Sequence, residues 1–372
     1  MSIDFKYCPN IRNLLREVQD KVTISMDNLH IRSYEDARVL PFLSWKKGVG
    51  GACDKQDTFI KESAWNEDFE YKYAYSLENF SYMRGIFLYI GVLYNCWGHA
   101  LTDNIKKIWA IGEGKYANLT MCYTTIDNEP LSIQAIELFH LAGVNIESAI
   151  HIKQPTIVQR LLIPDNSFCF NSPNVRYLET INNIKSRIVS SKKYAKIYLS
   201  RTKWQNSSKR DNGEKSLEAI FKSKGYEIVY PEKLSVEEQI KIYSTCSEMV
   251  ATEGSTALNS IFLQEGAKLV VLKKADYVNK YQNVVNRLFD LNVTYIETHH
   301  SSRTDEKEPW HGPFYVFPSK NVRLYLNDKW QLWVYRPYWM RLSWYKYVRP
   351  ISRVYKHITH ILKYEQSSSH IY

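Results

Sequence analysis

Between residues 196 and 272, short apolar runs and helical patterns alternate without a break, and few folds accommodate that. KIYLSR (196–201) reads as a buried strand, followed by a polar loop and a helix over 214–223. YEIVY (226–230) is the next strand. Ser235, with Glu238 three residues on, forms a capping box that opens a helix running to about residue 245. EMVAT (248–252) is again a strand, turned by Gly254-Ser255-Thr256 into a helix over 257–264, before KLVVL (268–272). Strands that read as continuous apolar runs, separated by helices, imply a parallel sheet covered on both faces, a Rossmann-like unit.

A weaker version of the pattern precedes it. IFLYIG (86–91) is a strand, residues 99–111 carry apolar side chains at helical spacing, and residues 118–124, 132–142, 149–152 and 160–164 continue strand and helix in turn. This predicts a second, mostly parallel sheet. The first eighty residues are irregular and are placed with that first unit, and residues 173–190 read as a helix leading into the second. A chain of 372 residues suits two lobes. The expected division is 1–165, 166–328 and a C-terminal extension, 329–372.

Apolar residues make up 44% and charged residues 24%, the balance of a globular protein. No apolar run is long enough to cross a bilayer, and the first residues lack the pattern of a secretory signal, so a cytoplasmic location is expected. The six cysteines are scattered without a C-x-x-C pair and are expected to be reduced and mostly buried. Net charge is +10, but from residue 331 onward seven Arg or Lys face a single acid, so +6 belongs to that extension and +4 to all that precedes it. Interleaved Trp, Tyr, Arg and Lys suit the headgroup layer of an anionic membrane. The alternative is packing against the first lobe, since Pro337 and Pro350 break any long helix there. Charge confined to one tail, with no recognised nucleic-acid module, argues against a nucleic-acid partner.

Three places carry candidate chemistry. The turn Glu253-Gly254-Ser255-Thr256 joins a strand to a helix, where backbone N–H groups can seat a diphosphate and Glu253 can accept from a ribose; capping alone also explains such a turn. Arg201 ends its strand, with Lys203, Lys209 and Arg210 in the following loop. A guanidinium at a strand's carboxyl end can neutralise a leaving diphosphate, although loop charges are commonly only solvated. His99 and Asp103 lie four apart on one helix face, the arrangement of a general base with its orienting carboxylate, or of a pair serving only the helix.

Taken together and in order, these parts resemble the family 61 glycosyltransferases, which include O-linked N-acetylglucosamine transferases, plant xylosyl and arabinosyl transferases and bacterial capsule enzymes. The shared features are YLSR ending at Arg201, Arg210 with Asn212 and Glu214, LSVEEQI (234–240), ATEGSTALNSIFL (251–263) and, in the first half, NCWGHALTD (95–103). Glu253 stands where the family often has His, Ser255-Thr256 replace Ala-Gly, and one extra residue separates Asn95 from His99.

The resemblance implies a GT-B arrangement, with two Rossmann-like lobes across a cleft, and transfer with inversion from a nucleotide sugar, by family habit a uridine diphosphate sugar. His99 or Asp103 would be the base. Arg201, Arg210, Glu253, Gly254, Ser255, Thr256 and Asn259 would hold the donor, and Asn95 and Trp97 the acceptor, a glycan or lipid-linked glycan. The D-x-D pair that holds a metal in the other major transferase fold is absent from the sequence, so no metal cofactor is expected. A non-catalytic sugar-binding or assembly protein on the same fold is the alternative.

Overall fold

The computed structural model describes residues 1–66, 72–111, 116, 118–204, 211–299, 312–328 and 351. Arg210 and nearly all of the basic aromatic extension lie outside them. Among the described residues the molecule is mixed α/β, with two six-stranded sheets and a small two-stranded one, β9 (Asp211–Asn212) with β14 (Phe314–Tyr315).

The second half holds the parallel sheet. Its strands are β8 (Tyr194–Leu199), β10 (Glu227–Val229), β11 (Cys246–Thr252), β12 (Lys268–Lys273) and β13 (Asn292–Glu297). They lie in the order β13-β12-β11-β8-β10, every pairing parallel. Strand order therefore reverses between β8 and β11, which creates a topological switch point at their carboxyl ends, where ligands bind in open α/β sheets. The helices Glu214–Ser223 and Val236–Tyr243 intervene. The capping box forms as expected: Ser235 Oγ accepts from the Glu238 N–H at 3.1 Å, and Glu238 Oε2 accepts from the Ser235 N–H at 2.8 Å.

One strand comes from an unexpected place. The expectation that the first eighty residues belong to the first unit does not hold for β1 (Ser2–Tyr7), which pairs in parallel with β13 at the edge of the second sheet. From there a helix, Arg12–Asp20, leads the chain across to the other sheet.

That sheet has the order β3-β2-β7-β4-β5-β6, from β2 (Ile31–Leu40), β3 (Gly51–Cys53), β4 (Ser81–Leu93), β5 (Thr120–Thr125), β6 (Ile150–His151) and β7 (Thr156–Pro164). It is mostly parallel, as expected, with β2 alone reversed and antiparallel to both β3 and β7. The expected helix over 99–111 is altered. A short turn of α-helix, Trp97–His99, widens into a π-turn, Ala100–Asn104, and the chain then turns again at Ile108–Ala110. Wide turns of this kind recur at functional sites. Here one follows from burying Asp103, Asn104, Lys106 and Lys107 together, which a regular one-sided helix does not do.

Alternation along the strands assigns each side chain to a face. In β8, Ile197 and Leu199 enter one large apolar cluster while Tyr198 faces outward into another; in β4, Leu88 and Ile90 enter the same large cluster and Tyr89 turns away. The two sheets thus share one central core, with a smaller cluster on each outer face. All six cysteines are free, and Cys8, Cys53, Cys122 and Cys246 are buried. Among the described residues no helix is long and apolar enough to cross a membrane.

Candidate active site

The first half brings His99 to the point where the two sheets meet. After β4 ends, Asn104 clamps Tyr94 reciprocally: its Oδ1 accepts the Tyr94 N–H at 2.9 Å, and its Nδ2 donates to the Tyr94 carbonyl at 3.0 Å. This fixes the start of the turn that carries His99. His99 Nδ1 lies 2.7 Å from Asp103 Oδ2, and Thr102 Oγ1 donates to the same oxygen at 3.2 Å. Lys106 Nζ stands 3.8 Å from the other carboxylate oxygen. Asp103 is 3% exposed and the His99 side chain 24%, so the carboxylate is enclosed while the ring reaches the surface. A carboxylate at Nδ1 fixes the proton there and leaves the lone pair on Nε2. Trp65, Tyr94 and Tyr281 surround the imidazole, with ring centroids at 4.7, 5.5 and 5.2 Å.

Contact with the second half is direct. Trp97 Nε1 donates to Asn259 Oδ1 at 2.9 Å. A Cβ at position 98 would stand 2.8 Å from Ser255 Oγ, so glycine is what lets the His99 turn lie against the turn after β11. That turn depends on Gly254, whose φ of +114° is strained for any side chain. The helix it opens, Ser255–Leu258, is one turn long and tightens at once into Asn259–Phe262, so the helix expected over 257–264 is shorter and begins earlier.

Arg201 emerges from β8 two residues beyond Leu199, which pairs with Ala251; Glu253 lies two beyond Ala251. Both leave the sheet at one edge, the switch point. The Arg201 N–H donates to Glu214 Oε1 at 2.9 Å, its guanidinium lies over the Trp204 ring at 4.6 Å, and Nη1 is 3.3 Å from Asp211 Oδ2. Lys274 Nζ donates to Asp211 Oδ1 at 3.1 Å. One buried carboxylate is thus shared by two cations. Burial, and then the charge of Asp211, push the Glu214 carboxyl up to about 7, and burial lowers the Lys274 ammonium.

Several residues expected at the site take other positions. Glu253 is 1% exposed and ion-paired with buried Lys273, so its carboxylate lies beneath the turn rather than open to a ribose; burial raises its pKa, opposed by Lys273. Thr256 and Asn259 are buried, and Asn259 bridges to Trp97. Asn95 supports the helix Ile133–Leu141, accepting from the Ser132 N–H at 2.7 Å and donating to the Pro130 carbonyl at 2.9 Å. Ser255 stays half-buried beside Gly98. Sequence alone does not single out Asp211, Lys273 and Lys274 or the aromatic surround of His99. Two lysines closing the apolar run KLVVL are a visible signal; Trp65 and Tyr281 lie too far along the chain from His99 to give one.

No curated protein matches the chain. Residues 97–270 match the model of the glycosyltransferase 61 family, a stretch that runs from the His99 turn through Arg201 and the Gly254 turn to β12. That match supports assigning the chain to the glycosyltransferase 61 family and, with it, glycosyltransferase activity.

Proposed function

We propose that the protein transfers a sugar with inversion from a uridine diphosphate donor to a glycan or lipid-linked glycan of the cell surface, without a metal, across a GT-B pair of lobes. The observation that carries this reading is the packing of the His99–Asp103 turn directly against the Gly254 turn at the switch point of the parallel sheet. His99 Nε2 takes the proton of the acceptor hydroxyl, and Asp103 stabilises the imidazolium that forms. The acceptor oxygen attacks the anomeric carbon as the bond to the diphosphate breaks. Leaving-group charge falls on Arg201, on Lys274 beside it, and on backbone N–H groups after Gly254. Asp211 holds the two cations in place before the nucleotide arrives. In this reading the extension over 329–372 meets an anionic membrane on the cytoplasmic side, where a lipid-linked acceptor is found.

Paired variants test the assignment. His99→Ala lowers transfer by about 10²-fold or more while calorimetric titration with UDP gives an unchanged affinity. Arg201→Ala weakens UDP in the same titration. Full turnover in the first variant contradicts the role of His99 as base, and undiminished UDP binding in the second contradicts that of Arg201 as a diphosphate ligand.

A further inference from the structure

The acceptor residues expected from sequence, Asn95 and Trp97, are engaged in structural contacts, and another side chain is placed to take their role. Trp45 is 45% exposed. Its ring meets Trp65 at 5.5 Å, Tyr94 at 5.9 Å and Phe42 at 5.5 Å, each edge-on. Trp65 and Tyr94 are two of the three rings around His99, so Trp45 lies one ring beyond the proposed base and on the solvent side of it.

The turn that carries Trp45 is firmly held. Ser44 and Gly48 exchange both backbone hydrogen bonds, at 3.1 and 3.0 Å, Lys47 N–H donates to Ser44 Oγ at 3.0 Å, and Asn128 Nδ2 donates to the Phe42 carbonyl at 2.9 Å. A rigid aromatic side chain with two χ angles loses little entropy when it binds, and the negative face of its ring attracts the C–H groups on one side of a pyranose.

We propose that Trp45 is the acceptor platform: a saccharide ring stacks on its exposed surface, and buried Trp65, packed between Trp45 and His99, sets the spacing that brings a hydroxyl to His99 Nε2. That the bound saccharide is the acceptor rests on the transferase reading; that Trp45 binds a saccharide does not. The surface lies outside residues 97–270, so it belongs to this chain rather than to the part matched by the family.

The test uses the full chain on an array of immobilised oligosaccharides, comparing wild type with Trp45→Ala and Trp45→Phe. The expected result is a signal from wild type that falls about ten-fold or more in Trp45→Ala and is largely restored in Trp45→Phe. Equal signals from wild type and Trp45→Ala overturn the proposal, as does a wild-type chain that binds no oligosaccharide. Leu43, Lys46 and Lys47 are also exposed on this turn. Sedimentation with phosphatidylglycerol vesicles that drops in Trp45→Ala, while the array signal persists, overturns the proposal in favour of a lipid contact. If the array result is as expected but wild type neither binds UDP nor hydrolyses a nucleotide sugar, the transferase reading falls and the saccharide platform stands.

Discussion

At the scale of single residues, the site is built on carboxylates that the fold encloses and cations that they position. Asp103 serves His99, Asp211 serves Arg201 and Lys274, and Glu214 accepts from the backbone of Arg201. Glu214 has a measurable consequence. Its folded pKa of about 7 lies above the ordinary 4.5, so the fold keeps a proton that the unfolded chain has already released. The stability it contributes is fully present below pH 4.5 and is lost as pH rises through about 7. Glu214→Gln is neutral throughout and still offers an oxygen to the Arg201 N–H. Urea midpoints are therefore expected to show wild type losing stability relative to the variant across that window, and parallel curves would contradict it. His99 and Asp103 are legible in the sequence because four-residue spacing puts two side chains on one helical face. The positions of Asn95, Trp97 and Asn259 are not, since spacing does not say whether a polar group faces a ligand or a neighbouring backbone.

At the scale of elements, strands β4 to β8 and β10 to β12 of the two sheets are readable from the sequence, whereas β1, β2, β3 and β13 are not. Strands such as LVVL are buried on both faces and appear as unbroken apolar runs, and Ser235 with Glu238 marks a helix start by itself. In contrast, IRSYEDARVL in β2 mixes charges into an antiparallel strand that is largely exposed over its first six residues, and SIDFKY in β1 alternates. Neither string says that its partner lies more than a hundred residues away in β7 or β13. The capping box admits a direct check. Ser235→Ala removes the acceptor for the Glu238 N–H and should cost about 1 kcal/mol, read from chemical denaturation. A change indistinguishable from zero would mean that burial of Val236, Ile240 and Tyr243 alone holds that helix. The π-turn at Ala100–Asn104 marks where local pattern fails: residues 99–111 have helical spacing, yet the structure turns them inward to enclose Asp103 and two lysines.

At the scale of the molecule, the two sheets are tied together rather than merely adjacent. The chain starts in the second sheet, crosses to the first and returns, and one apolar cluster spans both. Three contacts at the seam belong to the site itself: Trp97 with Asn259, Gly98 with Ser255, and His99 with Tyr281. In the proposed mechanism the seam sets the distance between base and donor, so a change there is expected to alter transfer as well as stability. His99 and Arg201 are then expected to serve one reaction from the two sides of that seam. A crystal structure of the chain with UDP bound is the sharpest check of this pairing. The diphosphate should lie against Arg201 and the backbone after Gly254, with His99 Nε2 facing the same space. A diphosphate seated elsewhere, or an imidazole turned to a separate surface, would refute it.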